Sequence, residues 1–126
     1  MGPEERVHFA IADYLRLQYP SVVFLSESSG VRTTPGLAKK LKRTRSNHTH
    51  LDLYILEPKK GYHALILELK AKDIYQKKNP ELFLKSDHVN DQDRTIKMLN
   101  KKYYKACFAI KFDQAKQIID EYLNDN

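Results

Sequence analysis

Residues 51–70 read LDLYILEPKKGYHALILELK, and the fold turns on how this segment pairs with itself. Two apolar runs, Leu51 to Leu56 and Tyr62 to Leu69, flank Pro58-Lys59-Lys60-Gly61. Branched and aromatic runs on either side of a short Gly-containing segment predict a β-hairpin. Both runs are nearly continuous in large apolar residues, which predicts central strands buried on both faces. Two registers are open. A two-residue turn at Lys59-Lys60 sets Asp52 opposite Leu67, and a three-residue turn ending at Gly61 sets Asp52 opposite Glu68.

Asp52, Glu68 and Lys70 interrupt these runs. Glu68 and Lys70 are two apart in a strand and so project from one face. Charges are rare in such surroundings unless they are paired or bind a metal. Either register puts the two carboxylates at adjacent positions, and Cβ atoms of opposed residues lie about 4.5–5.5 Å apart. Adjacent carboxylates repel unless something positive stands between them. A divalent cation such as Mg²⁺ answers this, held by carboxylate, carbonyl and water oxygens. Lys70 would then polarise a water or offset phosphate charge. The plainer reading is Asp52 at a strand start and a strand-end Glu68–Lys70 ion pair. On the residues alone it stands level with a metal-assisted phosphoester site.

Outward from the hairpin, Val7, Ile11, Tyr14, Leu15 and Gln18 have helical spacing and predict a helix over 4–18 with that stripe toward the core. Pro3, Glu4 and Glu5 suit its first turn. Val22 to Leu25 reads as a short strand. Gly30, Pro35 and Gly36 mark a loop, and Leu37 to Leu41 is long enough for a turn or two of helix. Residues 71–90 are polar and irregular, and 91–101 resume helical spacing through Ile96, Met98 and Leu99. Tyr104 to Ile110 reads as a strand. Asp113 then caps a final helix with Ala115, Ile118, Ile119, Tyr122 and Leu123 toward the core. The expected order is α, β, long loop, β, β, α, β, α in one domain spanning 1–126.

The 126 residues carry 22 Lys+Arg against 16 Asp+Glu, a net charge of +6. All of that excess lies in residues 28–51, in Arg32, Lys39, Lys40, Lys42, Arg43 and Arg45, with no acidic residue among them. A local basic block suggests a polyanion contact. The single cysteine, Cys107, excludes an internal disulfide framework and a Cys-based zinc site and reads as core filler. No apolar run approaches the ~20 residues of a membrane span, and no secretory signal is evident, so a reducing cytoplasmic setting is expected. His48 and His50 stand before Asp52 in His-x-His-x-Asp spacing and are read as loop residues rather than a zinc site. Gln92, taken alone, reads as an exposed helix residue.

Asp52, fifteen further residues, then Glu68-Leu69-Lys70 resembles the D…ExK signature of PD-(D/E)XK nucleases. More narrowly, the chain is similar to their VRR-NUC branch, small nuclease domains of phages and repair proteins. Glu4 with Val7-His8, Tyr14 to Pro20, Ser29-Gly30, the Lys39–Lys42 stretch, Gly61 to Leu65 and Val89-Asn90-Asp91-Gln92 carry the likeness. So do Tyr104, Phe112 to Ala115 and Ile119 to Leu123. Three features depart from it. Thr49-His50-Leu51 stands where the branch has Gly-x-Pro, His8 stands for Gln, and the 71–90 connection is longer.

The resemblance implies an α/β, restriction-endonuclease-like αβββαβ core with an extra C-terminal helix. It implies a Mg²⁺- or Mn²⁺-dependent DNA endonuclease of replication, repair or recombination, in a bacterial cell and of phage or prophage type. Asp52, Glu68 and the Leu69 carbonyl would hold metal, with Glu4 joining directly or through water. Lys70 would orient or activate the attacking water, and Gln92 would support the site or touch DNA. Arg32, Lys39, Lys40, Lys42, Arg43 and Arg45 would hold the DNA backbone. A junction cutter needs two active sites, which a homodimer supplies. The alternative is a DNA-binding or assembly module that keeps the fold without cutting.

Overall fold

Eight elements follow one another in the computed structural model, which describes residues 2–27, 34–84 and 86–124. They are α1 (Pro3–Gln18), β1 (Phe24–Ser26), α2 (Pro35–Lys42), β2 (Leu53–Ile55), β3 (Leu65–Lys70), α3 (Asp87–Lys101), β4 (Lys105–Ile110) and α4 (Lys111–Leu123). The strands form one mixed sheet in the order β1-β2-β3-β4, antiparallel except for the parallel β3–β4 pair. The crossover that a parallel pair requires is supplied by α3.

The hairpin places β2 and β3 at the centre of the sheet. Every residue of β3 is buried, as the continuous apolar run predicts. Alternation along β3 divides the molecule into layers. Leu65, Leu67 and Leu69 pack with Ile11 and Leu15 of α1 and with Ala115, Ile119, Tyr122 and Leu123 of α4. Ile66 packs on the opposite face with Val89 and Ile96 of α3 and Phe108 of β4. The fold is therefore a three-layer α/β/α sandwich. Each fully buried leucine of β3 contributes roughly 1.5–3 kcal/mol of hydrophobic stabilisation. On the α1/α4 side Asp120 adds a polar clamp. It accepts hydrogen bonds from Tyr14 at 2.5 Å and Tyr19 at 2.7 Å, and Lys116 Nζ lies 3.1 Å away.

Several boundaries differ from expectation for local reasons. The hairpin turn is Lys60-Gly61, closed by paired hydrogen bonds between Lys59 and Tyr62. Both turn residues have positive φ, 55° and 86°, the geometry that matches strand twist in a two-residue hairpin. The ladder then runs Leu53↔Leu67, Tyr54↔Ile66 and Ile55↔Leu65, which absorbs one extra residue between Ile55 and Lys59. β1 starts at Phe24 rather than Val22. α3 begins four residues early, at Asp87, because Ser86 accepts a hydrogen bond from the Val89 amide and caps it. α4 follows β4 directly, so Asp113 lies inside its first turn rather than capping it, and Gln114 Oε1 accepts from the Ile110 amide instead. On α1, Gln18 is exposed rather than on the core stripe, and His8, which the stripe did not include, is buried.

Candidate active site

Asp52, Glu68 and Lys70 come together in the interior, 3%, 3% and 8% exposed. Asp52 immediately precedes β2 at an irregularity of the ladder. Leu53 pairs with Leu67, yet the Asp52 amide also donates to the Leu67 carbonyl at 3.2 Å. Two residues thus oppose one, the arrangement of a β-bulge, which re-aims a side chain. The strands take the register expected for a three-residue turn, although the turn itself is Lys60-Gly61; the register of a Lys59-Lys60 turn is not formed, and Asp52 meets Leu67 only through its amide. The bulge is tied on both sides, since the Asp52 carbonyl accepts from the Glu27 amide at 2.6 Å. Asp52 Oδ2 accepts from the Leu69 amide at 2.9 Å.

Lys70 Nζ lies 3.6 Å from Glu68 Oε2, as expected for neighbours on one strand face. Glu68 Oε1 is buried without a hydrogen-bond partner. Burial, a hydrogen bond with Asp52 and the Asp52 charge push the Glu68 carboxyl up to about 9 against the pull of Lys70, with Glu4 adding to the rise. Burial also works against ionised Asp52. Hydrogen bonds from His8 and Glu68, the His8 charge and the Leu69 amide outweigh it and hold Asp52 below its ordinary value. The two shifts run in opposite directions, as expected where adjacent buried carboxylates favour holding one proton between them.

His8 is the residue whose role sequence reasoning missed. It is buried, with Nδ1 3.3 Å from Ser26 Oγ and Nε2 3.5 Å from Asp52 Oδ2. A signal was present: His8 stands three residues before Ile11 and seven before Leu15, on the same helix stripe. Glu4, exposed, stands one turn before His8 on that face. Gln92 is buried rather than exposed, between Val89 and Ile96 on the α3 stripe. That stripe covers the sheet face of Ile66, from which Glu68 and Lys70 also project. Its Nε2 donates to His88 Nε2 at 3.0 Å, while its Oε1 is buried without a partner.

The basic block is a short helix and its exit. Thr34 caps α2 by accepting from the Leu37 amide, with Pro35 in the first turn. Lys39, Lys40, Lys42 and Arg43 are exposed. Arg45 is instead paired with Glu27 at 2.7 Å, both side chains half-buried. The Glu27 amide is the one bonded to the Asp52 carbonyl, so this pair ties the basic segment to the edge of the site. Arg32 lies outside the described residues. His48 is exposed and His50 half-buried, in the loop before Asp52. Among the described residues no helix is long and apolar enough to cross a membrane.

The mixed sheet between helical layers, with an Asp at its bulge and Glu-Leu-Lys ending its central strand, defines a restriction-endonuclease-like, PD-(D/E)XK fold. A solved structure described as a VRR_NUC domain protein matches it with a TM-score of 0.65, over 98% of this chain and 89% of that one, at 22% identity. The fold is that of the VRR-NUC branch. No sequence-family model and no curated protein matches the chain.

Proposed function

We propose that the chain is a metal-dependent endonuclease that hydrolyses phosphodiester bonds of DNA. The observation that carries this reading is the burial of Asp52 and Glu68 at neighbouring positions of the β2–β3 hairpin, with the Lys70 ammonium 3.6 Å from Glu68. Such a pair is costly unless a cation replaces the proton. Among the described residues no three or more His, Cys, Asp or Glu side chains form a metal cage. Two carboxylates suit Mg²⁺, which binds through one or two of them and keeps several waters. The unsatisfied Glu68 Oε1 fits the same donor set.

Asp52, Glu68 and the Leu69 carbonyl would hold the ion, with Glu4 reached through water. A bound Mg²⁺ or Mn²⁺ supplies Lewis-acid polarisation of a phosphoryl oxygen and acidifies a water. Lys70, on the Glu68 face, orients the attacking water and offsets charge that builds on the phosphoryl group. The Leu69 amide holds Asp52 in place, and Gln92 braces the site from α3. Lys39, Lys40, Lys42 and Arg43 grip the phosphate backbone beside it. Cutting of branched or damaged DNA in replication, repair or recombination is the setting this serves. Cutting at a junction would use two copies of the chain.

The test is cleavage of plasmid and branched DNA with Mg²⁺ or Mn²⁺. Asp52→Asn and Lys70→Met are expected to abolish cutting while DNA binding persists. Cutting that survives a chelator, or robust cutting by Glu68→Ala, overturns the assignment. A wild-type chain that binds DNA without cutting any of these substrates is instead a non-cleaving module.

A further inference from the structure

We infer that His8 is a positioning residue of this site, fixing the Asp52 carboxylate by its Nε2–H while Ser26 fixes the ring. The inference rests on the metal-site reading above and extends it to a residue on α1. If packing alone mattered, the place of His8 on the Ile11–Leu15 stripe would suit any apolar side chain. A buried imidazole is costly there unless both ring nitrogens have polar neighbours. Both have one: Nδ1 lies 3.3 Å from Ser26 Oγ, and Nε2, buried and without a hydrogen bond of its own, faces Asp52 Oδ2 at an ion-pair distance of 3.5 Å. An ionised carboxylate can only accept, so the proton on that side belongs to Nε2. Ser26 Oγ–H then donates to Nδ1 when the ring is neutral, so the arrangement does not depend on ring charge.

The Leu69 amide donates to Oδ2 from β3, and His8 Nε2 faces the same oxygen from α1. Groups placed on one oxygen from two elements hold the plane of the carboxylate better than either does alone. Ser26 belongs to the same short strand as Phe24, and its neighbour Glu27 bonds the Asp52 backbone. The ring is therefore braced against the strand that also braces the bulge. Outer partners of this kind change metal affinity by about 10–100-fold when removed.

The experiment is titration of the whole chain with Mn²⁺, following free Mn²⁺ by electron paramagnetic resonance, with thermal melting of each variant alongside. His8→Leu is expected to melt cooperatively yet bind Mn²⁺ at least about tenfold more weakly. His8→Gln, whose Nε2 occupies much the same place as the ring Nε2, is expected to recover most of that loss. Unchanged Mn²⁺ affinity in folded His8→Leu overturns the inference, as does His8→Gln binding no better than His8→Leu. If His8→Leu does not fold, Ser26→Ala decides, since it loosens the ring without touching Asp52. Weaker binding there supports the inference and unchanged binding overturns it. Wild-type Mn²⁺ binding that Asp52→Asn abolishes but His8→Leu leaves intact defeats only this inference. Absence of wild-type binding defeats the metal site and the inference together.

Discussion

Replacing Glu68 with Gln should remove from the metal-free protein the share of its pH-dependent stability that this buried carboxyl supplies. Burial and the hydrogen bond and charge of Asp52 raise the Glu68 carboxyl from 4.5 to about 9. The folded protein then holds a proton that the unfolded chain has already released. That stabilisation is complete below the unfolded value and drains away as pH rises toward the folded value. Each pH unit inside the window is worth about 1.4 kcal/mol, so going from about pH 5 to about pH 8 should cost about 4 kcal/mol. That is a large share of the ~5–15 kcal/mol that holds a typical domain together. Urea unfolding of both proteins at the two pH values, without divalent metal, measures it. Other titrating groups cancel in the difference between the proteins. The lowered Asp52 acts below 3.8 and so outside the window. Mg²⁺ at one hundred times its dissociation constant should then return about 2.7 kcal/mol to the wild type at the higher pH, and nothing to Glu68→Gln. Equal pH responses of the two proteins would refute the claim that Asp52 and Glu68 are forced to share a proton.

Changing Lys39, Lys40, Lys42 and Arg43 together to Gln should weaken DNA binding and lower the slope of log affinity against log salt by up to about 3.6, read by fluorescence anisotropy at several salt concentrations. The same variant should keep its Mn²⁺ affinity, because these side chains are exposed whereas the carboxylates are buried. Leu67→Ala, at the fully buried centre of β3, should cost about 2–5 kcal/mol in urea unfolding. Asp120→Ala strands the Tyr14 and Tyr19 hydroxyls and should cost about 1–3 kcal/mol. Burial works against the Asp120 carboxylate, but its bonds to Tyr14, Tyr19 and Lys116 hold it below 3.8. Its contribution is therefore present at neutral pH and lost in acid, so the gap between Asp120→Ala and wild type should shrink as the pH falls below 3.8.

The central hairpin was legible because its cues are local. An uninterrupted apolar run from Ala64 to Leu67 has to be a buried strand, and a period of two puts Glu68 and Lys70 on one face whatever the surroundings. The stripes of α1, α3 and α4 follow from helical period in the same way, and the location of the charge excess in 28–51 needs only counting. The end of α3 was readable and its start was not, since Ser86 looked like one more polar residue of an irregular stretch. What the residues left open was anything that depends on a second element arriving. The register question between Asp52–Leu67 and Asp52–Glu68 had no local answer, because the strands take one register while the Asp52 amide, held by a bulge that the Glu27 amide ties just beyond β1, bonds Leu67. The Arg45–Glu27 pair was not legible either, because it forms only when the fold brings Glu27 to Arg45. His8 looked like a departure in an amphipathic helix, and Gln92 like a surface residue. Only the packing of α1 and α3 on the sheet set one against Asp52 and buried the other. Sequence period determines which way a side chain points from its own backbone. Which carboxylate it meets there, and how far that meeting moves a proton, is decided by long-range packing that removes water from both.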